Sequence, residues 1–219
     1  GWGGKRVRVG YVNCRGVKGK MVDIIDVAVK EEMSIIALSE THVRKGEQDQ
    51  LEVPDGFVFT GEGREMGQRK GGGVGFLVKK DVKWHSINIG DDDESEVRHE
   101  AQWIGVESVQ NKIAVGVVYA GREGLPEEWN DQILERLPVT VNAVQEQGYQ
   151  VLLVGDFNGH IGDGLDGIEG GDASMNRNGR KLLHFSREMG LRILNRDFEC
   201  KGKWTWSIGD RKSIIEDRK

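Results

Sequence analysis

The first half of the chain consists of short stretches in which apolar residues alternate with polar ones or run on without interruption. Val7, Val9 and Tyr11 alternate with polar neighbours, which predicts a strand running into Asn13. The apolar run over residues 34–40 predicts a buried strand, because a strand covered on both faces needs no polar alternation. We predict further strands over residues 57–60, 73–79, 101–107 and 112–119.

Three other stretches carry the 3.6-residue period of a helix with one apolar face. The first follows Asn13 and should bury Met21, Ile24, Ile25, Ala28 and Val29. The second covers residues 127–147, where Pro138 should kink or split the helix because it lacks an N–H group. The third covers residues 178–189, and its inward side chains should be Leu182, Leu183, Phe185 and Met189.

The last third of the chain returns to predicted strands. An apolar strand over residues 151–154 stops at Gly155, and late strands are predicted over residues 191–194, 204–207 and 213–215. Strands outnumber helices, and the sequence shows no internal repeat, low-complexity tract or linker. We therefore predict a single α+β domain over residues 1–219, built from packed sheets.

Composition excludes several classes of protein. The 36 acidic residues outnumber the 31 basic ones and leave a net charge of −5, which excludes a simple nucleic-acid binder with a strongly positive face. No apolar run approaches the roughly 18 residues of a membrane helix. Because Cys14 and Cys200 are the only cysteines, we expect a reduced, intracellular protein, although one disulfide is arithmetically available.

Polar residues at the ends of predicted strands are the candidates for chemistry. Asn13 and Glu40 each close a strand, and Asp156 and Asn158 follow a later one. Taken singly, each also fits a cap or a turn former. Together, carboxylate and amide oxygens suit Mg²⁺, which is completed by waters and substrate phosphates. Asp156 and Asn158 are two positions apart, so in an extended segment their side chains would point the same way.

Longer motifs around these residues resemble the endonuclease/exonuclease/phosphatase superfamily. They comprise residues 12–16 with Asn13, residues 36–42 (Ile-Ala-Leu-Ser-Glu-Thr-His), residues 71–76 (Gly-Gly-Gly-Val-Gly-Phe), residues 117–119 and residues 153–158 (Leu-Val-Gly-Asp-Phe-Asn). Residues 176–179, 193–195 and 204–207 are typical of its retrotransposon-type branch, and a cellular craniofacial-development-type protein has a similar domain. The resemblance implies a deoxyribonuclease I-like, four-layer sandwich of two mixed β-sheets flanked by helices.

The resemblance also implies roles for individual residues. Glu40 would ligate Mg²⁺, with Mn²⁺ as the alternative ion, and Asn13 would support it. Asp156 would position or deprotonate the attacking water, or protonate the leaving oxygen. Asn158 and Tyr119 would hydrogen-bond the scissile phosphate, and Thr205 would add a hydroxyl near it. Apart from the resemblance, an acidic chain needs local cations to contact substrate phosphates, and Arg180 and Lys203 are candidates, although scattered solubility charges explain them equally well.

The sequence departs from the superfamily at its C-terminal end. Where related sequences continue to an aspartate and a final strand ending in Ser-Asp-His, this one has Glu216 and stops at Lys219. We expect loss of the Asp-His pair to impair activity, and loss of the strand to leave an edge open to oligomer formation. A truncated chain and a degenerate copy both fit this pattern.

These features lead to three hypotheses. The first is a Mg²⁺-dependent phosphodiesterase, a DNA-nicking endonuclease of retrotransposon type, intracellular and nuclear, with no membrane attachment. The second is a catalytically inactive protein of the same fold that binds nucleic acid or a protein partner. The third keeps the fold but replaces DNA with an inositol phosphate or a phospholipid headgroup.

Overall fold

The computed structural model describes residues 7–61, 63, 72–89, 100–107, 112–120, 127–161 and 175–196. The chain divides after Phe157 into two compact units, and each is described separately below. Predictions for the strands at 204–207 and 213–215, and for Lys203, Thr205 and Glu216, lie outside the described residues.

Within the described ranges, the first sheet holds four strands: β1 (Val9–Asn13), β2 (Ile35–Ser39), β3 (Phe57–Thr60) and β4 (Val74–Lys79). Their order is β1-β2-β4-β3, with β1 and β2 parallel and the remaining pairs antiparallel. Strand β2 is buried at every position, as its uninterrupted apolar run predicts.

The second sheet also has four described strands: β5 (Trp84–Ser86), β6 (Ala101–Glu107), β7 (Lys112–Tyr119) and β8 (Gln150–Asp156). Their order is β5-β6-β7-β8; β7 and β8 run parallel, and the other two pairs of these strands run antiparallel. The sequence pattern does not predict β5, because three residues are too few to show alternation. Strand β8 continues two residues beyond its predicted end and finishes at Asp156.

Helices cover the outer faces of the two sheets within the first unit. Helix α1 (Met21–Lys30) packs Met21 and Ile25 into a core with Ile36 and Leu38 of β2. The alternate residues of β2 enter a second core between the sheets, together with Phe76, Ile104, Val115 and Val117. Helix α2 (Glu127–Glu146) contacts β8 on the far side of the second sheet. The predicted four-layer sandwich is therefore confirmed.

Several local predictions are wrong. Pro138 does not split α2, because the buried residues Leu137 and Val141 hold the helix in the core on both sides of the proline, and the alternative of a kink stays a prediction. Val29 is 62% exposed, so the buried face of α1 is narrower than its sequence period suggests. Residues 191–194 form no strand: residues 191–193 are irregular, and Leu194–Arg196 is a 3-10 helix.

The second unit contains helix α3 (Arg177–Glu188), which begins at a side-chain cap. The Asn176 side chain accepts a hydrogen bond from the Gly179 N–H at 2.8 Å, satisfying one of the free donors of the first turn. Its amide also donates to the Asn158 carbonyl at 2.9 Å. Leu183 and Phe185 are buried, as predicted. None of the described helices is both long enough and apolar enough to cross a membrane.

Candidate active site

Two parallel strand pairs of the first unit bring polar side chains to their carboxyl ends. Asn13 lies opposite Ser39 in the last residue pair of β1 and β2. Tyr119 lies opposite Asp156 in the last pair of β7 and β8. Strand β8 also contacts β1 and β2 across the sandwich, so the ends of both pairs meet in one place.

The Asn13 side chain bridges two carboxylates at this meeting point. Its amide nitrogen donates to Glu40 Oε1 at 2.6 Å and to Asp156 Oδ2 at 3.1 Å. Its amide oxygen accepts from the backbone N–H of Arg15 at 3.3 Å, which fixes the orientation of the side chain. The sequence therefore identified three residues, Asn13, Glu40 and Asp156, that the fold brings into direct contact.

Glu40 has a backbone conformation that non-glycine residues seldom adopt. Its φ is 51°, in the left-handed region. Its side chain is largely buried, with 12% exposure. The strained peptide is held by hydrogen bonds, among them one from the Gly16 N–H to the Glu40 carbonyl at 2.7 Å. Strain of this kind persists only where the surrounding structure fixes it, and it is concentrated at functional sites.

Two further residues, which the motifs do not single out, lie around the Glu40 segment. His42 Nε2 lies 3.7 Å from Glu40 Oε2. Glu100 is buried, with 1% exposure, and accepts a hydrogen bond from the Gly73 N–H at 3.0 Å. The hint for His42 was its position directly after the Ser-Glu-Thr motif. Glu100 gave no signal, because a lone acid before a strand is usually solvated.

The tyrosine hydroxyls of the site are held in their neutral form. Burial, reinforced by the negative charges of Glu40 and Asp156, raises the pKa of Tyr119 well above its ordinary value. The Glu40 side chain also favours the neutral form of Tyr119 and so contributes to the raised pKa. Burial likewise raises the pKa of Tyr11, whose hydroxyl lies 2.7 Å from Ser39 Oγ. Tyr119 is therefore available as a hydrogen-bond donor at the edge of a doubly negative site.

The donor set fits a small, hard cation. Two carboxylates provide the oxygen chemistry that Mg²⁺ prefers, and Mg²⁺ commonly uses one or two carboxylates and fills its remaining positions with water and phosphate. Within the described ranges, no three histidine, cysteine, aspartate or glutamate side chains form a group that would hold a metal alone. The candidate ligands are therefore the Glu40 and Asp156 carboxylates, with Asn13 holding both in place.

Known proteins resemble this chain in structure rather than in sequence. By sequence, the chain matches no family model and no curated protein. The endonuclease domain of TRAS1, a telomere-specific non-LTR retrotransposon, superposes with a TM-score of 0.59 at 15% identity, over 87% of this chain and 76% of that one. The AP endonuclease LMAP from Leishmania major gives 0.61 at 14% identity, over 84% and 66%.

The chain has the endonuclease/exonuclease/phosphatase fold. An AP endonuclease from Archaeoglobus fulgidus shares it, with a TM-score of 0.57 at 15% identity, over 90% of this chain and 80% of that one. The chain spans about two thirds of the Leishmania enzyme. The structural comparison confirms the resemblance that the motifs indicated.

Two further predicted site residues of this endonuclease/exonuclease/phosphatase fold, Asn158 and Arg180, belong to the second unit. Asn158 has a φ of 44°, so the extended segment predicted from Asp156 to Asn158 does not form. Arg180 is exposed on α3 and donates to the Met175 carbonyl at 3.2 Å. The roles predicted for Asn158 and Arg180 stay predictions, as do those of Thr205 and Lys203, which lie outside the described residues.

Proposed function

We propose that this chain is a divalent-metal-dependent phosphodiesterase that nicks DNA, an endonuclease of the retrotransposon type. The observation that carries the proposal is the Asn13 amide that joins the Glu40 and Asp156 carboxylates at the strand ends. A structural role alone would not require two carboxylates to be held together, one of them on a glutamate with a strained backbone. Mg²⁺ is the proposed ion, Mn²⁺ the alternative, and the nucleus the proposed location.

The proposed chemistry assigns one task to each side chain. Mg²⁺, when bound, neutralises phosphate charge and lowers the pKa of water. Glu40 would be its principal ligand, and Asn13 would keep that carboxylate aimed. Asp156 would orient the attacking water and accept its proton. The neutral Tyr119 hydroxyl would donate to a phosphate oxygen as negative charge builds up there.

DNA is the proposed substrate because of the motifs and the neighbouring folds. Proteins that share this fold are named as a retrotransposon endonuclease domain and as AP endonucleases. The motif at residues 176–179 favours the retrotransposon branch among these. An acidic chain can act on DNA when a cation bridges the two negative surfaces and local basic residues hold the flanking phosphates.

Nicking of supercoiled plasmid with Mg²⁺, compared with the same reaction in EDTA, tests the proposal. Glu40→Gln and Asp156→Asn remove one charge each at nearly constant shape, and each should reduce the nicking rate by about 10²–10⁴-fold. The matched control is Glu31→Gln, which removes a charge from an exposed residue. Nicking that survives both active-site changes, or that proceeds fully in EDTA, would refute the proposal.

The two competing hypotheses predict other results in the same samples. A catalytically inactive binding protein would retain plasmid in a gel-shift assay with Mg²⁺ and never nick it. A phosphatase of the same fold would hydrolyse a phosphoinositide and leave DNA intact. Either pattern, observed for a folded protein, would replace the nuclease assignment.

A further inference from the structure

A buried acid links the two sheets next to the candidate active site. Glu100 lies one residue before β6 in the second sheet, and its side chain accepts a hydrogen bond from the N–H of Gly73, one residue before β4 in the first sheet. Removal of a carboxylate from water is costly unless hydrogen bonds compensate. The start of a strand does not by itself require a buried acid, so the burial of Glu100 needs another explanation.

The turn that Glu100 contacts has a backbone conformation that favours glycine. Gly72 and Gly73 have φ values of 75° and 84°, both in the left-handed region. Their carbonyls point to the chain that follows Glu40: the Gly73 carbonyl accepts from the Thr41 N–H at 3.1 Å, and the Gly72 carbonyl accepts from the His42 N–H at 3.1 Å. The glycine turn thus fixes the two residues after Glu40.

The other side of the same segment is held by the loop after β1. Gly16 donates to the Glu40 carbonyl at 2.7 Å, and Val17 donates to the Thr41 carbonyl at 3.0 Å. Glu40 therefore keeps its left-handed φ between two sets of backbone hydrogen bonds. The β1 side is anchored by the core residue Val17, and the β4 side is anchored by Glu100.

We infer that Glu100 is a positioning residue for Glu40, acting through the Gly72–Gly73 turn to hold the Glu40 carboxylate against Asn13. The buried acid fixes the turn, the turn fixes Thr41 and His42, and these fix the strained glutamate. The part of this inference that concerns metal affinity rests on the proposed function, whereas the backbone part does not. The negative charge of Glu100 also reaches the site, since it contributes to the raised pKa of Tyr119.

Three variants of the full chain separate geometry from charge. Glu100→Ala removes the acceptor, Glu100→Gln keeps an oxygen for the Gly73 N–H, and Glu100→Asp keeps the charge but withdraws it by one methylene. Ile104→Val is the matched control, because Ile104 is fully buried in β6 and lies in the core rather than on the turn. If Glu100→Ala does not fold, Glu100→Asp takes its place.

Hydrogen exchange at the Thr41 and His42 amides, followed by NMR, tests the backbone part without any metal. Exchange of both amides should be at least about tenfold faster in Glu100→Ala, since that local opening requires loss of only a hydrogen bond or two. Glu100→Gln and Ile104→Val should stay close to the parent. Unchanged exchange in Glu100→Ala, or equal acceleration in Ile104→Val, overturns the inference.

Binding of Mn²⁺, measured by its electron paramagnetic resonance signal, tests the functional part without any turnover. Glu100→Ala should bind Mn²⁺ about 10–100-fold more weakly than the parent, which is the usual effect of losing a group that orients a metal ligand. Glu100→Gln should lie nearer to the parent than to the alanine variant. Parent-like affinity in a folded Glu100→Ala, or equal losses in the alanine and glutamine variants, overturns it.

The two readouts distinguish failure of this inference from failure of the proposed function. If the parent binds no Mn²⁺ while the Thr41 and His42 amides still exchange faster in Glu100→Ala, the metal assignment is wrong and Glu100 still positions Glu40. If the parent binds Mn²⁺ through Glu40 and every Glu100 variant behaves like the parent, the proposed function stands and the inference falls.

Discussion

Tyr119 and Asp156 lie opposite each other in the last residue pair of the parallel β7–β8 ladder. A phenol and a carboxylate are thus presented side by side, and the carboxylate helps to keep the phenol protonated. The same ladder places both groups beside Asn13 and Glu40. At this point Tyr119 is a hydrogen-bond donor and the Asp156 carboxylate is an acceptor.

Replacement of the Tyr119 hydroxyl should impair catalysis and leave the fold intact. Under the proposed function, Tyr119→Phe should lower kcat by about 10²–10³-fold, the usual effect of losing one hydrogen bond to a developing negative charge. Initial rates of plasmid nicking at saturating Mg²⁺ measure this. A circular dichroism spectrum identical to that of the parent provides the control, and an unchanged kcat would show that Tyr119 does not act on the phosphate.

Alkaline pH should destabilise the fold through Cys14. Burial raises the pKa of its thiol from 9.0 to about 11, and among the described residues Cys14 is a free cysteine. Below pH 9 the Cys14 thiol keeps its proton in both the folded and the unfolded state, so the full stability of the fold is present. From about pH 9 to 11 the unfolded state releases its proton first, and stability falls as pH rises, by about 2–3 kcal/mol in total.

Urea unfolding at pH 8, 9, 10 and 11, with Cys14→Ser as the comparison, measures this contribution. The serine hydroxyl can still donate to the Ser39 carbonyl, which Cys14 Sγ contacts at 3.0 Å, but it does not titrate in this range. The difference in unfolding free energy between the two proteins should therefore change with pH. A constant difference would contradict the prediction. Tyr119, whose raised pKa does not depend on Cys14, cancels in the comparison.

Glycine is required at position 155 because a neighbouring strand is too close. A Cβ at this position would overlap the carbonyl oxygen of Val118, a backbone atom of β7 that cannot move aside cheaply. Gly155→Ala should cost about 1–3 kcal/mol of stability and displace the adjacent Asp156. Gly19→Ala is the control, because a Cβ there meets open space, and it should change stability by less than about 0.5 kcal/mol. Equal effects of the two substitutions in urea unfolding would exclude the steric explanation.

Helix α2 should become more stable without its internal proline. Pro138→Ala restores an N–H group that can reach the Leu134 carbonyl one turn earlier, and it removes the ring from that turn. We expect the free energy of unfolding to rise by about 1–3 kcal/mol, somewhat less than the full helix penalty because the unfolded chain also gains freedom. Thermal unfolding measures the change, and a lowered Tm would show that the proline ring contributes packing that outweighs the missing hydrogen bond.

Hydrophobic pattern predicted the elements whose environment is uniform. The run of apolar residues in β2 indicated burial on both faces, and the structure buries all of that strand. Two predictions from this pattern were wrong for opposite reasons: β5 was missed, and a strand was predicted over residues 191–194 where none forms. The first is a strand only because β6 pairs with it, and the second has strand-like residues but no strand pairing among the described residues.

The residues of the candidate site could be predicted where they lie in a local sequence motif. They could not be predicted where they reach the site only through three-dimensional contacts. Glu40 and Asp156 lie in recognisable motifs at the ends of strands. Glu100 contacts Gly73, which is 27 residues away in sequence, and His42 reaches Glu40 where the backbone is left-handed. No local pattern encodes such contacts. The positive φ of Asn158 agrees with the alternative that this residue is a turn former, because asparagine tolerates the left-handed region better than most residues do.

The hydrogen bond from Asn13 to Asp156 joins residues 143 positions apart, which has a consequence for biosynthesis. Translation at about 5–20 residues per second separates the two residues by roughly 7–30 s. A growing polypeptide therefore carries its first two polar groups long before the third exists, and contacts of such long range also form slowly during folding. The reactive arrangement can be completed only once the first unit has been made in full, so an unfinished chain released from the ribosome before Asp156 lacks it.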